Sequence, residues 1–206
     1  MQAVLLATTN KAKIERIRKL LKASQPEVRV DIPTDLGLEA IEVEEGNDLL
    51  ENARAKARAY HGKTESRIIG MDAGFFIEGE KLDPALVKRN ALDGHEEREF
   101  SQHEIGQAML EYYRSLAREH GGTVEAYWKD VFVMVQPDGS ERVAEAIRPV
   151  ILTTEVHGKV DDYMPLRSLY YSKATGKYAC DATEEDELKE LEPITKALSE
   201  LLGSFG

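Results

Sequence analysis

Three short clusters in the first part of the chain carry side chains that could do chemistry. In the first, Val4-Leu5-Leu6-Ala7 runs into Thr8-Thr9-Asn10-Lys11-Ala12-Lys13 and then into Ile14, Ile17, Leu20 and Leu21 at helical spacing. An apolar strand that breaks directly into a helix leaves backbone N–H groups, a positive dipole end, hydroxyls and lysines at one point, which suits a phosphate. The dipole contributes only about 0.3–1 kcal/mol, whereas micromolar binding needs about 8 kcal/mol. Lys11 or Lys13 and a metal would therefore supply much of the rest. The same residues also read as an ordinary strand-to-helix turn with Thr8 or Thr9 as N-cap.

The second cluster is Glu44-Glu45-Gly46-Asn47-Asp48, leading into Glu51-Asn52-Ala53-Arg54-Ala55-Lys56-Ala57; the third is Gly70-Met71-Asp72-Ala73-Gly74. A carboxylate at the end of a buried strand, beside glycines that let a ligand approach the backbone, is where α/β proteins place a metal ligand. Asp72 is that carboxylate. Magnesium is commonly held by one or two carboxylates plus substrate phosphates, so an acidic pair such as Glu45 and Asp72 would suffice. The structural alternatives are a turn-capping role for Asp72, a solvated acidic loop for Glu44 and Glu45, and an exposed lysine at 56.

Alternating elements must position these groups. A strand at 2–7 and a helix from about 10 to 23 precede a strand around Val28–Ile32 and a further extended piece from Leu38 to Val43. Leu49, Leu50, Ala53, Ala57 and Tyr60 have helical spacing, and Ile68–Met71 reads as a short buried strand. Asp83-Pro84 looks like a helix start, and Ile105, Ala108, Met109, Tyr112 and Leu116 mark an amphipathic helix ended by His120-Gly121-Gly122. Residues 123–136 read as a long strand, folded back by Pro137-Asp138-Gly139-Ser140 onto Val143–Val150 as a hairpin. A final helix holds Leu188, Leu191, Ile194, Leu198 and Leu201, with Pro193 as an interruption, and the acidic run 184–192 reads as a solvated face. The pattern predicts an α/β fold with a mixed twisted sheet, flanking helices and a smaller second lobe, in one domain over residues 1–206.

Composition narrows the partners. The 206 residues are 42% hydrophobic, enough for a well-buried domain. A net charge of -11 would repel a nucleic-acid duplex or an anionic membrane, so any anionic ligand should be small and metal-masked. The one cysteine, Cys180, excludes an internal disulfide and fits a reducing, cytoplasmic compartment. The sequence shows neither a signal pattern nor a spanning apolar run.

Taken together, the ordered segments Ala7-Thr8-Thr9-Asn10-Lys11-Ala12-Lys13, Glu44-Glu45-Gly46 through Ala57, and Asp72-Ala73-Gly74 resemble the inosine/xanthosine triphosphate pyrophosphatase family. These enzymes clear non-standard purine nucleotides. Each motif is weak alone, but their order and their places on strand–helix junctions are fairly specific, and they cover about the first third of the chain. The resemblance implies an inosine triphosphatase-like fold, a Mg2+ cofactor and a homodimer. It also implies that Thr8, Asn10 and Lys13 grip the triphosphate, that Lys56 reaches a phosphate, and that Asp72 with Glu44 or Glu45 holds the metal. The expected reaction is hydrolysis of a nucleoside triphosphate to the monophosphate and pyrophosphate, with Asp72 as metal ligand or base.

Other positions depart from the family. Met71-Asp72-Ala73 stands where two acids and a hydroxyl are usual. Asp162-Tyr163-Met164-Pro165 replaces a Gly-Tyr-Asp-Pro segment, and Glu192-Pro193-Ile194 aligns with a Ser-His-Arg segment. Proline and isoleucine side chains offer no donor, so hydrogen bonding at that point cannot select a carbonyl-bearing purine. The alternative reading is a non-catalytic nucleotide-binding or interaction protein on the same scaffold.

Overall fold

The computed structural model describes residues 2–83 and 86–203. The chain begins with strand β1 (Gln2–Leu6), helix α1 (Lys11–Ser24) and strand β2 (Val28–Asp31). Helix α2 (Leu49–Arg58), strand β3 (Arg67–Ile77), the short helix α3 (Val87–Ala91) and helix α4 (Gln102–Glu119) follow. Strands β4 (Thr123–Val135), β5 (Glu141–Thr153) and β6 (Tyr170–Ser172) precede helices α5 (Glu184–Glu190) and α6 (Glu192–Leu202). The strands form one sheet in the order β2-β1-β3-β4-β5-β6. β1 runs parallel to both neighbours while β5 and β6 are antiparallel, so the sheet is mixed, as expected.

The chain divides into two compact units, Met1–Gly74 with Lys129–Ala146 and Glu192–Gly206, and Phe75–Trp128 with Ile147–Leu191. In the first, Leu5 and Leu6 of β1 and Ile17 of α1 are wholly buried, which explains the unbroken apolar run of a parallel strand covered on both faces. The parallel register pairs Leu6 with Ile69, and the Ala7 N–H donates to the Ile69 carbonyl at 2.8 Å. Asp72, three positions further along β3, therefore lies past the end of β1, on the side where α1 begins.

Helix α2 packs on β3 through its smallest side chains. Ala53 and Ala57 are fully buried, and a Cβ placed on Gly70 would stand 2.0 Å from the Ala53 carbonyl oxygen. Arg54 and Arg58 tie the outer side of α2 to Glu141 at the start of β5. Both arginines hold the Glu141 carboxyl below the usual range although burial pushes it up.

In the second unit the core is aromatic. Phe75 meets Tyr113 edge-on at 5.3 Å and Trp128 at 5.1 Å, and Tyr170 is 4% exposed. Trp128 and Tyr170 are thus packing residues, which the strand patterning of β4 allows.

Several expectations need correction. Residues 38–43 form no strand; they follow a 3-10 turn at Pro33–Leu36 and hang from Tyr60, whose hydroxyl accepts from the Ile41 N–H and donates to the Glu39 carbonyl. Among the described residues the segment pairs with no strand of the sheet, and its backbone groups bond to the Tyr60 hydroxyl instead. β3 runs to Ile77 rather than ending at Met71. Pro193 divides the expected last helix in two and sits in the first turn of α6, where its missing N–H costs nothing. Pro84 lies outside the described residues, although Leu86 and Val87 donate to the Asp83 carbonyl.

The acidic run is only partly solvated. Asp186 is 7% exposed, accepts from Thr183 in a capping box and pairs with Lys177 at 2.7 Å. Glu187 pairs with Arg167, and Glu190 with Arg148, both at 2.9 Å. A row of carboxylates on one short helix is thus matched by cations from the rest of the second unit.

Gly70→Ala should cost about 3 kcal/mol, the upper part of the overpacking range, because the obstructing atoms are backbone; urea unfolding measures it. Lys177 and the Thr183 hydrogen bonds hold the Asp186 carboxyl far below its ordinary value. Its stabilisation is therefore complete above the unfolded-state pKa of about 3.9 and is lost as pH falls below it. Asp186→Asn should melt lower than the parent at neutral pH, with the gap narrowing on acidification below about pH 4.

Candidate functional site

Helix α1 starts where β1 ends, and its first turn is organised by Asn10. The Asn10 Oδ1 accepts from the Lys13 N–H at 3.1 Å, and the Thr8 Oγ1 accepts from the Asn10 N–H at 3.2 Å. Asn10 rather than Thr8 or Thr9 is therefore the N-cap, with Thr8 bracing it from behind. This turn holds Lys13 at the third position of the helix, its ammonium 3.6 Å from Asp72 Oδ1.

From the other side α2 delivers Lys56. Its ammonium donates to Asp72 Oδ1 at 3.0 Å and lies 2.9 Å from Glu45 Oε1. Burial lowers the Lys13 pKa, with Lys56 the next cause and Asp72 acting against them. A cation desolvated beside another cation gains from any anion that approaches. The Asp72 carboxylate is 7% exposed, and its other oxygen accepts from Asn52 Nδ2 at 2.9 Å.

Of the expected residues, Lys13, Lys56, Glu45 and Asp72 meet in the first unit, and Thr8 and Asn10 form the turn beneath Lys13. Glu44 is exposed and has no ion-pair partner among the described residues, so of the two adjacent acids it is Glu45 that faces Lys56 and Asp72. No group of three or more His, Cys, Asp or Glu side chains suited to a metal occurs among the described residues. Asn52 was not singled out by motif reading. Its signal was its place: an amide on the same helical face as buried Ala53 and Ala57 has no reason to be there unless it is bonded.

The other segments noted in the sequence are occupied differently. In the second unit Tyr163 is 79% exposed, and the Asp162 backbone closes on Gly106, where a Cβ would meet it at 2.8 Å. In α6, Ile194 is wholly buried. Cys180 donates to the His157 carbonyl, and burial followed by Asp181 pushes its thiol pKa up, as fits an unreactive cysteine. No helix among the described residues is long and apolar enough to cross a membrane.

Comparison with known proteins bears on the family and the fold. A family model described as Ham1 family matches residues 4–196. No curated protein matches the sequence at a significant level. Among solved structures, a HAM1 protein from Coxiella burnetii superposes with a TM-score of 0.71 at 20% identity, covering 97% of this chain and 100% of that one. A nucleoside-triphosphatase / dITP/XTP pyrophosphatase from Mycobacterium abscessus gives 0.67 at 18% identity, over 98% and 99% of the two chains. The Ham1 protein of Staphylococcus aureus gives 0.66 at 19%, over 96% and 98%. At these identities the likeness is one of fold.

If Asn10 acts as the cap that orders this turn, Asn10→Ala should lower stability by about 1 kcal/mol, while Asn10→Asp should retain most of it. Thermal or urea denaturation of the two variants distinguishes them.

Proposed function

This chain belongs to the Ham1 family, and from that premise we propose that it is a nucleoside triphosphate pyrophosphatase, releasing pyrophosphate and a nucleoside monophosphate. The observation that carries the reading is the convergence of the Lys13 and Lys56 ammoniums on one buried carboxylate at the amino end of α1. The pyrophosphatase named among the structural relatives has the same fold, which supports the reaction class.

The two lysines would take the triphosphate tail. Free N–H groups of the first turn of α1 and the hydroxyl of Thr8 are the neutral donors beside them, and Asn10 keeps that turn in place. Asp72 serves either as a ligand of the metal or as the base that orients the attacking water and accepts its proton, as the water oxygen bonds the α-phosphorus and the bridging oxygen departs with pyrophosphate. Such transfers depend chiefly on positioning and charge neutralisation, so this small set is adequate.

The donor set fits a magnesium ion. Glu45 and Asp72 offer hard carboxylate oxygens that both reach the same lysine ammonium, so a cation already sits between them. Two carboxylates with the remaining positions open to phosphate and water match what magnesium usually takes. Glu45 and Asp72 would hold it, and the ion would add positive charge at the phosphoryl oxygens beyond what the lysines supply. The same reading takes the protein to be cytoplasmic and homodimeric, the first resting on its single cysteine and the second on the family resemblance.

A panel of standard and non-standard purine triphosphates with magnesium, read by pyrophosphate release, tests the activity. Turnover is expected on at least one member. Asp72→Asn should lower kcat by about 10²–10⁴-fold, and Lys13→Met or Lys56→Met should raise KM more than it lowers kcat. Full turnover in Asp72→Asn would overturn the roles assigned here, and binding without pyrophosphate release across the panel would leave a nucleotide-binding protein.

A further inference from the structure

One side chain outside the charged set touches both acidic segments. Asn52 is 5% exposed and uses its amide on three sides. Its Oδ1 accepts from the Gly46 N–H at 2.8 Å, and its Nδ2 donates to the Gly46 carbonyl at 2.9 Å and to Asp72 Oδ2 at 2.9 Å. The paired bonds to one residue's N–H and C=O fix which end of the amide is nitrogen, so the donor to Asp72 is unambiguous.

We propose that Asn52 is the positioning residue of the site, holding the Glu45–Gly46 loop and the Asp72 carboxylate in a single arrangement; the consequence for metal binding rests on the pyrophosphatase reading above. Glu45 sits on a loop whose neighbours 44–48 are exposed, and Gly46 has nothing within 4 Å of where a Cβ would lie. Beyond the Lys56 ion pair of Glu45 and the Asp48 cap of α2, little packing sets the place of such a segment. The Gly46 bonds therefore fix Glu45 by fixing the residue next to it, and the third bond leaves Asp72 Oδ1 as the oxygen turned to the lysines. Aspartate at 52 has the same shape but no donor, and would set a like charge against Asp72. A longer glutamine could not make both Gly46 bonds from the same backbone position.

The test measures manganese binding to the nucleotide-free protein by the loss of free-ion electron paramagnetic resonance signal, with amide hydrogen exchange at Gly46 beside it. Asn52→Ala and Asn52→Asp should each weaken the metal about 10–100-fold, the range for residues that orient ligands without touching the ion, and should speed exchange at Gly46. In turnover they should lower kcat with little change in KM, since Lys13 and Lys56 remain. Leu20→Ala, a truncation in the α1 core away from the site, is the control for stability lost without positioning lost. It should leave metal affinity and Gly46 exchange at the parent values.

Asn52 variants that keep parent metal affinity and Gly46 protection would overturn the proposal, as would a parent protein that binds no manganese or a Leu20→Ala control that loses as much affinity. Should the parent bind manganese and the Asn52 variants lose it while no triphosphate is hydrolysed, the positioning role stands and the pyrophosphatase reading falls.

Discussion

Everything at the site hangs on how closely α2 can lie on β3. A helix normally keeps its backbone away from a strand by the width of its side chains. Here a glycine faces two alanines, so that even a methyl group at Gly70 would enter the Ala53 carbonyl. That approach lets a lysine and an asparagine on α2 reach the same carboxylate on β3 by short bonds of 3.0 and 2.9 Å. The alanines at 53 and 57 contribute little transfer free energy themselves; their value is the distance they permit. Larger apolar residues would bury more area and move the chemistry apart.

The second constraint is electrical. A chain with net charge -11 is a poor collector of anions at long range. What it holds instead is a local concentration of positive charge on Lys13 and Lys56, whose side chains are largely withdrawn from water, so screening there is weak. Glu45 is half exposed, so water weakens its hold on Lys56, whereas Asp72 is buried and its attraction is less screened. The interior of the cluster is thus two ammoniums around one effective carboxylate. A long-range repulsion and a short-range attraction together favour a ligand that arrives with its own cation, which is the physical argument for a metal-bound polyphosphate.

How much of this was legible in the residue order depended on range. β1, α1, α2, α4 and the β4–β5 hairpin were readable because each carries its own apolar period or turn residues. The stretch 38–43 was not, since its extended texture says nothing about whether a strand lies beside it. Pro193 was visible as a break, but whether it ended a helix or began one depended on the turn at Leu191. At the site the residue types were plain, while the choice between Glu44 and Glu45 turned on loop geometry set by a hydrogen bond from α2. Asn52 is not legible from its own segment because its importance comes from partners twenty and six residues away. Its position on an otherwise alanine-lined face was the one local clue.

Ion pairs elsewhere in the molecule sharpen what is distinctive about this one. In the second unit Arg167, Lys177 and Lys173 could each have met an anion, yet Glu187, Asp186 and Glu125 engage them. Those pairings hold α5 and the strand edges in place, and an anion arriving there would compete with a carboxylate already held by the fold. Asp72 is different in that one of its oxygens serves two ammoniums, one of them with its pKa lowered by burial. The half-exposed Glu45 is the weaker of the two carboxylates on Lys56, so an incoming anion would have only a solvent-screened contact to displace. The fold maintains that arrangement through the Gly70 contact and the Asn10 cap, at a cost in desolvation that stability alone would not require. Under the proposed function, a phosphate would take the place of that weaker contact while the buried Asp72 contact stays in place.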